Sequence, residues 1–160
     1  MKSRSTNRLA AAAGLAACLL AAPAFAADAP KAAAPPPSPI AEGRALFEKK
    51  CVTCHTLERS LAKKADRKGW DATVASMIRK GATLTNPEGA QVAGYLAAKS
   101  VFETKCNTCH DLDRPLTAIK SPEQWKATVL RMAGMKPGVV TDEEAGAITL
   151  YLSLVTPVKK

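Results

Sequence analysis

Two short stretches carry residue types that can hold a prosthetic group: Cys51-Val-Thr-Cys54-His55 and Cys106-Asn-Thr-Cys109-His110. Two thiols three positions apart lie on one turn and can add across the two vinyl groups of a haem. The histidine that follows then faces the iron. Three other chemistries use cysteine pairs. A thioredoxin-like redox pair needs a βαβ setting, and no strand pattern surrounds either motif. A zinc site of four cysteines would span a long spacer and leave both histidines without a role. Simple disulfides suit an exported chain. The residue counts favour haem. Of five cysteines, Cys18 lies near the N-terminus and the other four fall in the motifs; the chain's only two histidines close them. The expected cofactors are two covalently bound haem c groups. Cys51, Cys54, Cys106 and Cys109 would attach them, with His55 and His110 as proximal iron ligands.

No histidine is left for the sixth coordination position. With Met1 lost on processing, Met77, Met132 and Met135 are the soft candidates. Trp70, Val74 and Met77 are spaced i, i+4, i+7, one stripe of a helix, and Trp125, Val129 and Met132 repeat that spacing. Such a stripe also reads as plain core, and the two readings agree if the core is a haem. Met77 and Met132 are the expected distal ligands, with Met135 in reserve. Trp70 and Trp125 are expected at the haem edge, each indole N–H directed at a propionate. Arg59 and Arg114, four residues past each histidine, are further propionate candidates, a solvated arginine being the plainer alternative. Tyr95 and Tyr151 are expected to pack between helices with their hydroxyls at the surface.

The elements that must position these residues repeat as well. The motifs are 106 − 51 = 55 residues apart, and the same offset relates Phe47 to Phe102, Leu57 to Leu112, Trp70 to Trp125 and Met77 to Met132. One inserted residue after Met132 makes the offset 56, relating Thr85 to Thr141 and Tyr95-Leu96 to Tyr151-Leu152. This is a tandem repeat of about 55 residues. Each copy predicts three helices and no strand: one approaching the motif (about 41–51), one carrying Trp and Met (about 69–80 and 122–134), and one carrying Tyr (about 87–98 and 142–154). Ser121 before Pro122 is an N-cap, and Thr85 with Glu88 and Thr141 with Glu144 form capping boxes. The fold class is all-α, two tandem haem units. From Ala90 to Cys106 there is no proline and only Gly94. Either the last helix of the first unit fuses with the first of the second, or Ser100 caps a fresh start with Glu103. The fused helix is favoured.

Ahead of the units, residues 1–26 read as a signal peptide: Lys2, Arg4 and Arg8, an apolar Ala-rich run, and the cleavage site Ala24-Phe25-Ala26. Residues 27–39 are an Ala/Pro-rich tether. The haem units then span 40–99 and 100–156. The expected location is the periplasm. Lipidation at Cys18, within Leu15-Ala16-Ala17-Cys18, is a minority alternative and the one route to a membrane. Removing three basic residues with the signal leaves 20 − 14 = +6. An exported basic chain seldom meets nucleic acid, so none is expected as a partner.

EGRALFEKKCVTCH resembles the opening of class I c-type cytochromes, and the likeness covers both units. The downstream W-x3-V-x2-M and Tyr-Leu helix, with SPEQWKATVLRM the closest stretch, is similar to the haem units of cytochrome subunits in periplasmic dehydrogenases. Sulfite dehydrogenase and the dihaem part of quinohaemoprotein amine dehydrogenase are examples. The resemblance implies a helical fold and covalent haem ligated by His55 and His110. Two departures stand out. The candidate methionines lie only 77 − 55 = 132 − 110 = 22 residues past the histidines and on a helix, whereas the family's ligand lies in a later loop. Some dihaem relatives use bis-His ligation at one centre, which this chain cannot supply. The reading is an electron carrier rather than an enzyme. It would pass single electrons to a redox partner such as a periplasmic dehydrogenase or a terminal acceptor, as a shuttle or as a dehydrogenase subunit. The alternatives are a small peroxidase-like haem enzyme, which would need a distal acid–base group, and a haem-based sensor.

Overall fold

A computed structural model describes residues 38–158. The expectations for the signal peptide, Cys18 and most of the tether fall outside the described residues. Helices alone make up the regular structure of the described part, as expected for an all-α chain. They are α1 (Pro39–Lys50), α2 (Glu58–Ala62), α3 (Arg67–Arg79), α4 (Asn86–Lys105), α5 (Asp113–Leu116), α6 (Pro122–Met135) and α7 (Asp142–Val155).

Capping chemistry sets most of these boundaries. Thr85, Ser121 and Thr141 each cap a helix whose third residue, Glu88, Gln124 or Glu144, bonds back to the cap amide. The N-terminal amides that a helix cannot satisfy internally are thereby paired. Ser38 caps α1 and Pro39 opens it, so these two residues belong to the first helix and not to the tether. The short helices α2 and α5, one turn or so each, follow the two histidines; the repeat gave no periodicity long enough to predict them.

The join between the units is one helix. α4 runs unbroken for 20 residues, with Ser100 inside it rather than at a cap. α1 and α3 pack on α4, and α7 packs on α4 and on α6. At the α1–α4 crossing a side chain on Gly43 would collide with the Gln91 carbonyl, so glycine there permits the close approach. The core runs through Phe47, Trp70, Val92, Leu96, Phe102, Trp125, Ile148 and Leu152, all at most 3% exposed. At its centre four rings follow in order: Phe47 to Tyr95 at 5.9 Å, Tyr95 to Tyr151 at 6.1 Å, and Tyr151 to Phe102 at 5.4 Å. Tyr95 and Tyr151 are only 6% and 7% exposed, packed between helices as expected, and neither hydroxyl is a fully buried atom without a partner.

Candidate haem-attachment motifs

α1 and α4 each end one residue before a motif, and each motif opens as a single tight helical turn, Cys51–Thr53 and Cys106–Thr108. The Thr53 hydroxyl donates to the Lys50 carbonyl at 3.0 Å, and the Thr108 hydroxyl donates to the Lys105 carbonyl at 2.9 Å. These bonds satisfy carbonyls that the ending helix leaves free. They also fix the turn that carries the two thiols.

The histidines are held alike. Nδ1 of His55 lies 2.8 Å from the Thr56 carbonyl, and Nδ1 of His110 lies 2.7 Å from the Asp111 carbonyl. A carbonyl can only accept, so Nδ1 is the donor and Nε2 is the nitrogen left to face a metal. Fixing one ring nitrogen by a backbone carbonyl is how proteins orient an imidazole for a metal. The residues therefore fit a haem iron bound through Nε2.

The thiols fit attachment better than the rival chemistries. All four described cysteines are free, with Cys51 and Cys106 half-buried and Cys54 and Cys109 exposed. Burial, and secondarily the neighbouring thiol, pushes Cys51 and Cys106 up. A thioredoxin-like nucleophile needs the opposite shift. Among the described residues, no group of three or more Cys, His, Asp or Glu converges on one point, so the two pairs are not brought into one metal cluster.

Each motif is tied to the third helix of its own unit. Lys50, next to Cys51, pairs with the capping glutamate Glu88 at 2.7 Å, and Lys105, next to Cys106, pairs with Glu144 at 3.5 Å. The Lys50 ammonium, together with the Thr85 amide, holds the Glu88 carboxyl below its usual range.

The tryptophans are 2% exposed and belong to the same core as Val74 and Val129. Their indole N–H groups, expected to seek propionates, have protein partners instead. Trp70 donates to the Ser100 hydroxyl at 2.9 Å and Trp125 to the Thr156 hydroxyl at 2.8 Å. Ser100 and Thr156 are the buried polar side chains among the described residues. Their equivalence is readable in the repeat, four positions past Leu96 and Leu152, but their pairing with the indoles is not. The sequence reading also missed Lys63 and Lys120, whose ammonium groups sit 5.4 and 5.6 Å over Trp70 and Trp125. These lysines are not equivalent in the repeat, being 57 residues apart, so no offset could reveal them.

The remaining candidates are more exposed. Met77 is half-buried on α3, Met132 is 37% exposed on α6, and Met135, the last residue of α6, is 73% exposed. Met77 and Met132 thus continue the stripe beyond the buried Trp–Val pairs. Arg59 on α2 and Arg114 on α5 are exposed, and neither guanidinium is paired with a carboxylate among the described residues.

Residues 38–95 match the family model described as cytochrome c oxidase, cbb3-type, subunit III. No curated protein and no solved structure matches the chain. The matched segment contains the first motif and ends before the second. Over that segment the chain is similar to a haem-bearing cytochrome domain, which supports a c-type cytochrome with covalently bound haem c and an electron-carrying role.

Proposed function

We propose that the protein is an exported dihaem c-type cytochrome that passes electrons singly through two haem c groups. The observation that carries this reading is the sameness of the two motifs. The turn, the threonine bond to the helix end, the Nδ1-to-carbonyl bond and the tryptophan-to-hydroxyl bond occur at both, although the family match covers only the first. Bound haem would supply iron that cycles between ferrous and ferric states. The chain's part is to hold it through Cys51, Cys54, Cys106 and Cys109 and to ligate it through His55 and His110. Met77 and Met132 are the proposed distal ligands, the donors in each unit that the helical stripe brings one turn beyond the buried Trp–Val pair.

The leader at residues 1–26 supports a periplasmic setting. The partner would be a redox protein, such as a periplasmic dehydrogenase or a terminal acceptor. Reductive titration of the purified protein tests the reading: two electrons per chain are expected, and uptake of one or none contradicts it. The red charge-transfer band of methionine-ligated ferric haem should weaken in Met77→Ala and again in Met132→Ala. A band that survives both changes removes the ligand assignment.

A further inference from the structure

The row of four rings carries an inference that rests on the dihaem reading. Phe47 lies four residues before Cys51 and Phe102 four before Cys106, so each outer ring shares a helix face with the first cysteine of a motif. The outer contacts, Phe47–Tyr95 and Phe102–Tyr151, each lie within one repeat unit. Tyr95–Tyr151 joins the units and pairs repeat-equivalent residues, as at a two-fold interface. All three separations fall within the range of favourable aromatic pairs.

Tyr151 touches two rings of α4, Tyr95 and Phe102, which are seven residues and thus two turns apart on one face. These two rings bracket the stretch where the helices of the two units merge. Gly94, a weak helix former, sits at its edge. A bend there would move Cys106, at the end of α4, relative to Cys51, which follows α1 from its crossing of α4 at Gln91. We propose that Tyr151 is a positioning residue: it splints α4 across the join and so fixes the two haem motifs relative to each other. Two bound haems would then exchange electrons at one geometry rather than over a range.

The test uses the haem-loaded full chain, with the haem count read first by mass. Pulsed EPR then gives the distribution of distances between the two ferric haems, and thermal unfolding is recorded beside it. A single narrow distribution is expected for the wild type and for Tyr151→Phe. In Tyr151→Leu it should broaden or shift while both haems remain attached. A broad wild-type distribution overturns the proposal, whether or not the leucine variant folds. So does a leucine variant that loses thermal stability but keeps the wild-type distribution, since the ring would then serve packing alone. A chain carrying fewer than two haems is a separate result; it overturns the dihaem reading and this one with it.

Discussion

Around Cys51 and around Cys106 the chain builds the same local structure under different surfaces. The parts that agree are the threonine-capped turn, the imidazole held through Nδ1, and the buried tryptophan bonded to a hydroxyl. The parts that differ face solvent. Residues 40–99 carry 11 Lys and Arg against 6 Asp and Glu, and residues 100–156 carry 6 against 7. Large exposed apolar side chains gather in the second stretch, at Leu116, Ile119, Leu130, Met132, Met135 and Leu150, whereas Val52 is the one such residue in the first among the described residues. Lys64 of the first unit stands where Ile119 stands in the second.

The buried tryptophans give the largest expected effect. Trp70→Ala and Trp125→Ala should each lose about 3–5 kcal/mol of stability in chemical denaturation, from lost burial and the cavity left behind. Trp70 should cost more, because its partner Ser100 lies inside α4, on which both units pack, while Thr156 ends α7. Equal losses would mean that the join is not shared.

A finer change separates the two hydrogen bonds. Thr156 also donates to the Leu152 carbonyl at 2.7 Å, so Trp125→Phe leaves its hydroxyl paired. Ser100 relies on the Trp70 indole, its one side-chain hydrogen bond among the described residues. Trp70→Phe should therefore cost about 1–3 kcal/mol and Trp125→Phe less, the cost following the buried hydroxyl that loses its partner. The reverse order would break the comparison.

Much of this was legible in the sequence because periodicity and capping are local. Thr85, Ser121 and Thr141 announce their helices by hydroxyl-to-amide bonds within one turn, and the absence of proline between Ala90 and Cys106 announces the continuous α4. What was not legible depends on tertiary contact. The indole partners lie 30 and 31 residues away, and the Tyr95–Tyr151 contact joins different units. Lys63 and Lys120 reach the tryptophans from positions that no repeat offset relates. Ser38 and Pro39 end an Ala/Pro run, which masks an N-cap signal of the same kind as Ser121-Pro122.

Smaller effects should come from the caps. Thr85→Ala and Thr141→Ala are each expected to cost about 1 kcal/mol by denaturation. The smallest is pH-dependent. The Glu88 carboxyl is held below its usual range, so its contribution is present at neutral pH and is lost as pH falls through its folded value. Acid titration of the wild type should show a small loss that is absent in Glu88→Gln. An identical acid response in both would remove the Lys50–Glu88 pair from the account.

The central claim is that both motifs, and not only the family-matched first one, hold haem. Intact mass of the purified full chain under denaturing conditions tests it most directly, because only covalently attached haem survives. Two haem additions are predicted, falling to one in the double variant Cys106→Ala with Cys109→Ala. A wild-type mass carrying a single haem, unchanged by that variant, would contradict the account.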